Sequence, residues 1–129
     1  MKMFALERTV VADDIDDLDH VNNITYLYWI QDASKNHWEE LTKNLTNDFH
    51  LWIVRSHQIE YKRPARLGDK IIINTYVKRS KGFLSDRIVE ISLKKSKQLL
   101  VRCKTQWCYI NKETQNPERI PEYIISLLT

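Results

Sequence analysis

The sequence predicts an α+β domain in which an antiparallel five-stranded sheet curves around one long central helix. Three observations carry this. The elements run β-α-β-β-β-β, with a short helix at the end. Only one segment shows helical apolar spacing over about five turns. The four strand-like segments beyond residue 50 are joined by turns that suit antiparallel pairing. A sheet that long must cover its apolar face, and only that helix is long enough to do so. With 129 residues, residues 1–129 read as a single domain.

Each element has its own signal. Residues 4–12 (FALERTVVA) read as the first strand. An acidic turn follows, with Asp13, Asp14, Asp16, Asp17 and Asp19, residue types that favour turns over helix or strand. Asn22 or Asn23 can then cap a helix, since a side-chain oxygen accepts a free N–H of the first turn. Tyr26, Ile30, Ala33, His37 and Leu41 recur at helical spacing, flanked by Trp29 and Trp38. The helix should end between Leu41 and Asn47.

From Leu51 the period becomes two. Leu51 to Lys62 reads as a strand, closed by the turn Arg63-Pro64-Ala65-Arg66-Leu67-Gly68-Asp69. There Pro64 is pre-set for a turn and Gly68 permits positive φ. Lys70 to Arg79 places Ile71, Ile73, Thr75 and Val77 on one face, until Lys81-Gly82 breaks it. Ser85 to Lys94 aligns Val89, Ile91 and Leu93. Leu99 to Ile110 aligns Val101, Cys103, Thr105, Trp107 and Tyr109. A last helix spans about Glu118 to Leu128, starting around Pro121.

Composition narrows the function classes. Hydrophobic residues make up 43% and charged residues 29%, as in a globular domain. The longest near-apolar stretch, Tyr26 to Ile30, falls far short of the ~18 residues of a membrane span. The stretch before Glu7 and Arg8 is too short for the apolar core of an export signal, so the expected location is the cytoplasm. Cys103 and Cys108 sit in one strand, about 16 Å apart, beyond disulfide reach. They read as buried thiols, and two cysteines do not make a four-ligand zinc site.

Residues 1–52 carry 4 Lys/Arg against 10 Asp/Glu, and residues 53–129 carry 16 against 7. The basic half suits polyanions such as coenzyme A phosphates. The basic residues are spread over alternating strand faces rather than gathered with exposed aromatics, which argues against a nucleic-acid partner. There is no Gly-x-Ser-x-Gly elbow, and two glycines cannot build a phosphate loop. A calcium loop counted from Asp14 would need Gly at Asp19 and Glu at Thr25.

The stretch Asp14-Ile15-Asp16-Asp17-Leu18-Asp19-His20-Val21-Asn22-Asn23-Ile24-Thr25-Tyr26 resembles the signature of hot-dog-fold acyl-CoA thioesterases. These are the relatives of 4-hydroxybenzoyl-CoA thioesterase and of plant acyl-ACP thioesterases. The signature runs Asp-x-Asp-x-x-Gly-His-Val-Asn-Asn-x-x-Tyr, between the first strand and the central helix. The resemblance continues through WIQDA (Trp29 to Ala33) and HQIEYKRPARLGD (His57 to Asp69) to Thr105-Gln106-Trp107 and Arg119-Ile120-Pro121. Asp19 departs from the family's usual Gly, or Gln in the plant branch. Leu18 stands where that branch has Asn.

The resemblance implies a hot-dog fold and thioester hydrolysis. Asp16 matches the family's catalytic carboxylate, as general base for water or as a nucleophile forming a mixed anhydride. Free N–H groups at the helix start can hold the oxyanion. His20 and Asn23 complete the candidate catalytic set, orienting the thioester or the water, although Asn23 is equally a candidate cap. Tyr26, Arg55, His57, Arg63 and Arg79 are the candidate substrate-binding residues. No cofactor is expected beyond coenzyme A as part of the substrate. The implied assembly is a homodimer joined edge to edge, or a dimer-of-dimers tetramer, with sites at the subunit boundary. An acyl carrier protein thioester and a non-catalytic acyl-CoA-binding role are the alternatives.

Overall fold

The computed structural model describes residues 2–129. The strands are β1 (Met3–Thr9), β2 (Leu51–Tyr61), β3 (Lys70–Lys81), β4 (Leu84–Leu93) and β5 (Leu99–Ile110). The helices are α1 (Asn23–Thr42) and α2 (Glu122–Leu128). The strands form one sheet in the order β1-β3-β4-β5-β2, every neighbouring pair antiparallel. This is the architecture that the order of elements predicts, and it is the hot-dog fold.

The first strand is shorter than residues 4–12. Ala12–Asp14 wind into a single 3-10 turn, and the Asp14 carboxylate accepts the Val11 N–H at 3.0 Å. At the helix start Asn22 is the cap: its Oδ1 accepts the Ile24 N–H at 3.0 Å, and Asn23 is the first helical residue. The buried face of α1 is Tyr26, Trp29, Ile30, Ala33, Ser34 and His37. It packs chiefly over β3 and β1. Burying each of its large apolar side chains contributes roughly 1.5–3 kcal/mol. No described helix is long and apolar enough to cross a membrane.

Inside the sheet the core is Ile71, Ile73, Val89, Ile91, Val101 and Cys103, against Tyr26, Trp29, Ile30 and Ala33. A second cluster joins Val77 and Tyr109 to Ile120, Ile124 and Leu128 around α2. Cys103 and Cys108 are both buried free thiols. Three register shifts interrupt the strand pairing, one of them between Ile91 and Ser92 of β4 against β5. The other two fall between Val54 and Ser56 in β2 and between Val77 and Arg79 in β3. Each extra residue turns the rest of its strand over relative to the strict alternation.

Candidate active site

The acidic turn folds on itself just ahead of α1. Asp16 Oδ1 accepts the Leu18 N–H at 2.8 Å and the His20 N–H at 3.2 Å, while Asp16 N–H donates to the His20 carbonyl at 2.8 Å. One carboxylate oxygen is therefore spent on holding the loop. Among the described residues the other, Oδ2, has no hydrogen-bond donor. Asp16 and His20 are half-buried, and Asn23 is exposed. The three sit together because four residues of chain link Asp16 to His20 and α1 begins three residues later.

Asp19 has φ +60°. This is the left-handed region that glycine enters freely and that Asp and Asn tolerate better than other side chains. The departure from the family's glycine thus keeps the loop's backbone shape. At the helix tip, Asn22 satisfies the Ile24 N–H, and the Asn22 carbonyl accepts the Thr25 N–H at 2.9 Å. The Asn23 N–H meets no acceptor among the described residues. It is a free donor at the positive end of a 20-residue helix.

The candidate substrate-binding residues scatter. Tyr26 is 2% exposed, and its hydroxyl accepts the Ala65 N–H at 3.0 Å, pinning the Arg63–Asp69 turn to α1. Burial raises its phenol above the ordinary range, so it stays neutral and serves the fold. Arg55 is exposed at the β2 bulge, and Arg63 is exposed in the turn beyond β2. Arg79 pairs with Asp86 at 3.2 Å. Asp86 alternates with Arg87 in β4, and Arg87 faces the helix, so Arg79 lies on the outer face of the sheet. The β3 bulge is what turns Arg79 to that face, away from α1. His57 is on the inner face, with Nδ1 2.8 Å from Thr105 Oγ1 and Nε2 buried without a partner among the described residues.

Sequence reasoning missed the main feature of that inner face. A cavity of about 960 Å³ lies beside α1, and its lining runs along the helix from Thr25 through Trp29 and Ser34 to Trp38. Asp13 and Asp14 reach it at the loop end, and Trp52, Trp107, Ser85 and Arg87 reach it from the sheet. A smaller cavity of about 340 Å³ is lined by Ile15, Asp19 and Arg66. Asp16 is flanked by residues of both cavities but lines neither.

Arg87 is 4% exposed, and its Nη1 donates to His37 Nδ1 at 2.9 Å and Thr75 Oγ1 at 3.0 Å. Burial lowers its guanidinium to about 10, still charged at neutral pH. Burial first, and then the Arg87 charge, push His37 down to about 4. A signal for Arg87 existed: it is in phase with Val89, Ile91 and Leu93, a charge on a strand's apolar face.

The sequence model of the acyl-ACP thioesterase N-terminal domain matches residues 2–128. No curated protein sequence matches. Solved structures share the fold at low identity. Slr0204 of Synechocystis, a 1,4-dihydroxy-2-naphthoyl-CoA thioesterase, is 21% identical, with TM-score 0.84 over 98% of this chain and 96% of its own. YbaW of Escherichia coli, a probable thioesterase, is 21% identical, with TM-score 0.87 over 97% and 98%. A Thermus thermophilus thioesterase, solved with coenzyme A and Zn, is 18% identical, with TM-score 0.83 over 96% and 90%.

Proposed function

The chain belongs to the acyl-ACP thioesterase family of hot-dog thioester hydrolases, and from that membership we propose that it cleaves an acyl-CoA to a free acid and the CoA thiol. The observation that carries this reading is the loop-to-helix junction. There, among the described residues, a carboxylate oxygen without a donor and a helix-tip N–H without an acceptor lie seven residues apart, on either side of His20. Coenzyme A in the Thermus thermophilus neighbour supports CoA as the thiol carrier.

In this reading Asp16 Oδ2 takes a proton from water as the water oxygen bonds to the thioester carbon. The carbonyl electron pair moves onto oxygen, where the Asn23 N–H and the helix dipole stabilise it. The oxyanion then collapses, the C–S bond breaks, and the departing sulfur receives the proton from Asp16. His20 and the Asn23 side chain orient water and thioester. The acyl group lies along α1 in the large cavity, whose volume is in the range of small-molecule sites. The acyl-carrier alternative draws on the family description and on the basic half of the chain, which suits an acidic carrier. For assembly, we propose a homodimer through the β2 edge, where Leu51 and Ile53 are exposed apolar residues.

Thiol release over short, long and aromatic acyl-CoAs tests the activity, with matched carrier-protein thioesters separating the two carriers. Asp16→Asn keeps an oxygen for the Leu18 and His20 N–H groups but removes the base. The expected loss in kcat is roughly 10²–10⁴-fold with the fold intact. An unchanged rate refutes the role of Asp16.

A further inference from the structure

Arg87 is a buried cation with no carboxylate paired to it among the described residues. Among the described residues the salt bridges involve other groups, and Nε and Nη2 of Arg87 have no acceptor. Its two partners, His37 Nδ1 and Thr75 Oγ1, are neutral, and both bind the same nitrogen, Nη1. Placing a charge where water is scarce is costly unless an anion joins it. The guanidinium fork is shaped to grip a carboxylate through two parallel N–H donors. Arg87 lines the large cavity, so the unused donors have a place for such a group.

We propose that the cavity takes a long acyl chain whose far end carries a carboxylate, and that Arg87 recognises that carboxylate. The proposal rests on the thioesterase reading for the identity of the chain's other end. Length follows from the helix. The lining starts at Thr25, and Arg87 is bonded to His37, twelve residues further on, which is roughly 18 Å of helical rise. A thioester at the helix tip therefore needs a long chain to reach Arg87. The walls between include the rings of Trp29, Trp38, Trp52 and Trp107, suited to methylene groups, beside the polar Gln31 and Ser34 of α1. Of the other charges on the lining, His50 pairs with Glu118 at 2.8 Å, and Lys35, exposed on α1, is the one cation among the described residues there without an ion pair besides Arg87. Asp32 faces Arg8 at 3.5 Å, and Asp13 and Asp14 lie at the loop end. The phosphates of coenzyme A are the other possible anions. Arg87 is only 4% exposed, which favours a slender chain end over a nucleotide.

The test compares ω-carboxyacyl-CoA with the ω-methyl acyl-CoA of equal length. The wild-type protein should favour the ω-carboxy substrate at least about tenfold in kcat/KM. That ratio should fall to near one in Arg87→Met and be partly kept in Arg87→Lys. A wild-type ratio of one or below, or an equal ratio in wild type and Arg87→Met, overturns the proposal. Should Arg87→Met not fold, the wild-type ratio and Arg87→Lys decide. A binding arm separates this inference from the thioesterase reading. Thermal unfolding is followed with the free α,ω-diacid, the matching monoacid and coenzyme A alone. Selective stabilisation by the diacid, lost in Arg87→Lys or Arg87→Met, supports the Arg87 site even if no thioester is hydrolysed. Arg87-dependent stabilisation by coenzyme A, without any by the diacid, assigns Arg87 to phosphate and overturns it.

Discussion

Arg87 Nη1 lies 2.9 Å from His37 Nδ1, tying the middle of the sheet to the buried face of α1 through a bond that only a neutral imidazole can accept. The tautomer follows: Nδ1 is the acceptor, so Nε2 carries the proton. Phe4 stacks on the ring at 5.3 Å. The contact therefore joins β1, α1 and β4 at one point and depends on the charge state of one side chain.

That dependence predicts acid sensitivity. Burial and then the Arg87 charge push His37 down to about 4 in the fold, from an ordinary value of 6.5. Between those values the unfolded chain binds a proton that the folded chain refuses. The stabilisation is whole above about pH 6.5 and drains away as pH falls toward 4, by at most about 3 kcal/mol. Urea denaturation at pH 7, 5.5 and 4.5 should show a flatter profile in His37→Asn than in wild type. Parallel profiles would rule His37 out as the source.

Asp19 tests the loop. At φ +60°, Asp19→Gly should hold or raise stability, and Asp19→Val should lose about 1–2 kcal/mol. Chemical denaturation measures both. If valine is tolerated without loss, the left-handed turn is not what the position requires.

Tyr26 separates a structural from a substrate role. Tyr26→Phe leaves the buried Ala65 N–H without its acceptor, at a cost of about 1–3 kcal/mol. A drop in the denaturation midpoint with KM unchanged is expected. A raised KM at full stability would instead place the hydroxyl on the substrate.

The two roles open to Asp16 leave different isotopic marks when water opens the anhydride at the aspartyl carbonyl. Under single turnover in ¹⁸O water, general-base catalysis puts the label in the acid and none in the protein. Label found in the peptide containing Asp16 would establish a mixed anhydride and displace the water mechanism.

The sequence by itself determined the elements and the loop chemistry, because both are local. Helical spacing from Tyr26 to Leu41 and alternation in the later strands come from side-chain periodicity, which needs no distant partner. Asp16, His20 and Asn23 fall within eight residues, and backbone bonds inside that loop hold them. The motif was legible for that reason. Asn22 rather than Asn23 as the cap was open only by one residue.

Tertiary structure alone decided which long-range side chains meet. Strict alternation from Ile71 through Val77 would bring Arg79 to the inner face, yet one bulge residue turns it outward to Asp86. In β2 the bulge at Arg55 likewise changes phase, so that Trp52 and Val54 share a face with His57 and Ile59. A period of two gives alternation but not where that alternation slips, since the slip is set by pairing with a neighbouring strand. The cavity and its buried arginine arise the same way. They exist because α1 covers the β1–β3 side of the sheet and leaves room beside it, a matter of packing that no stretch of chain contains.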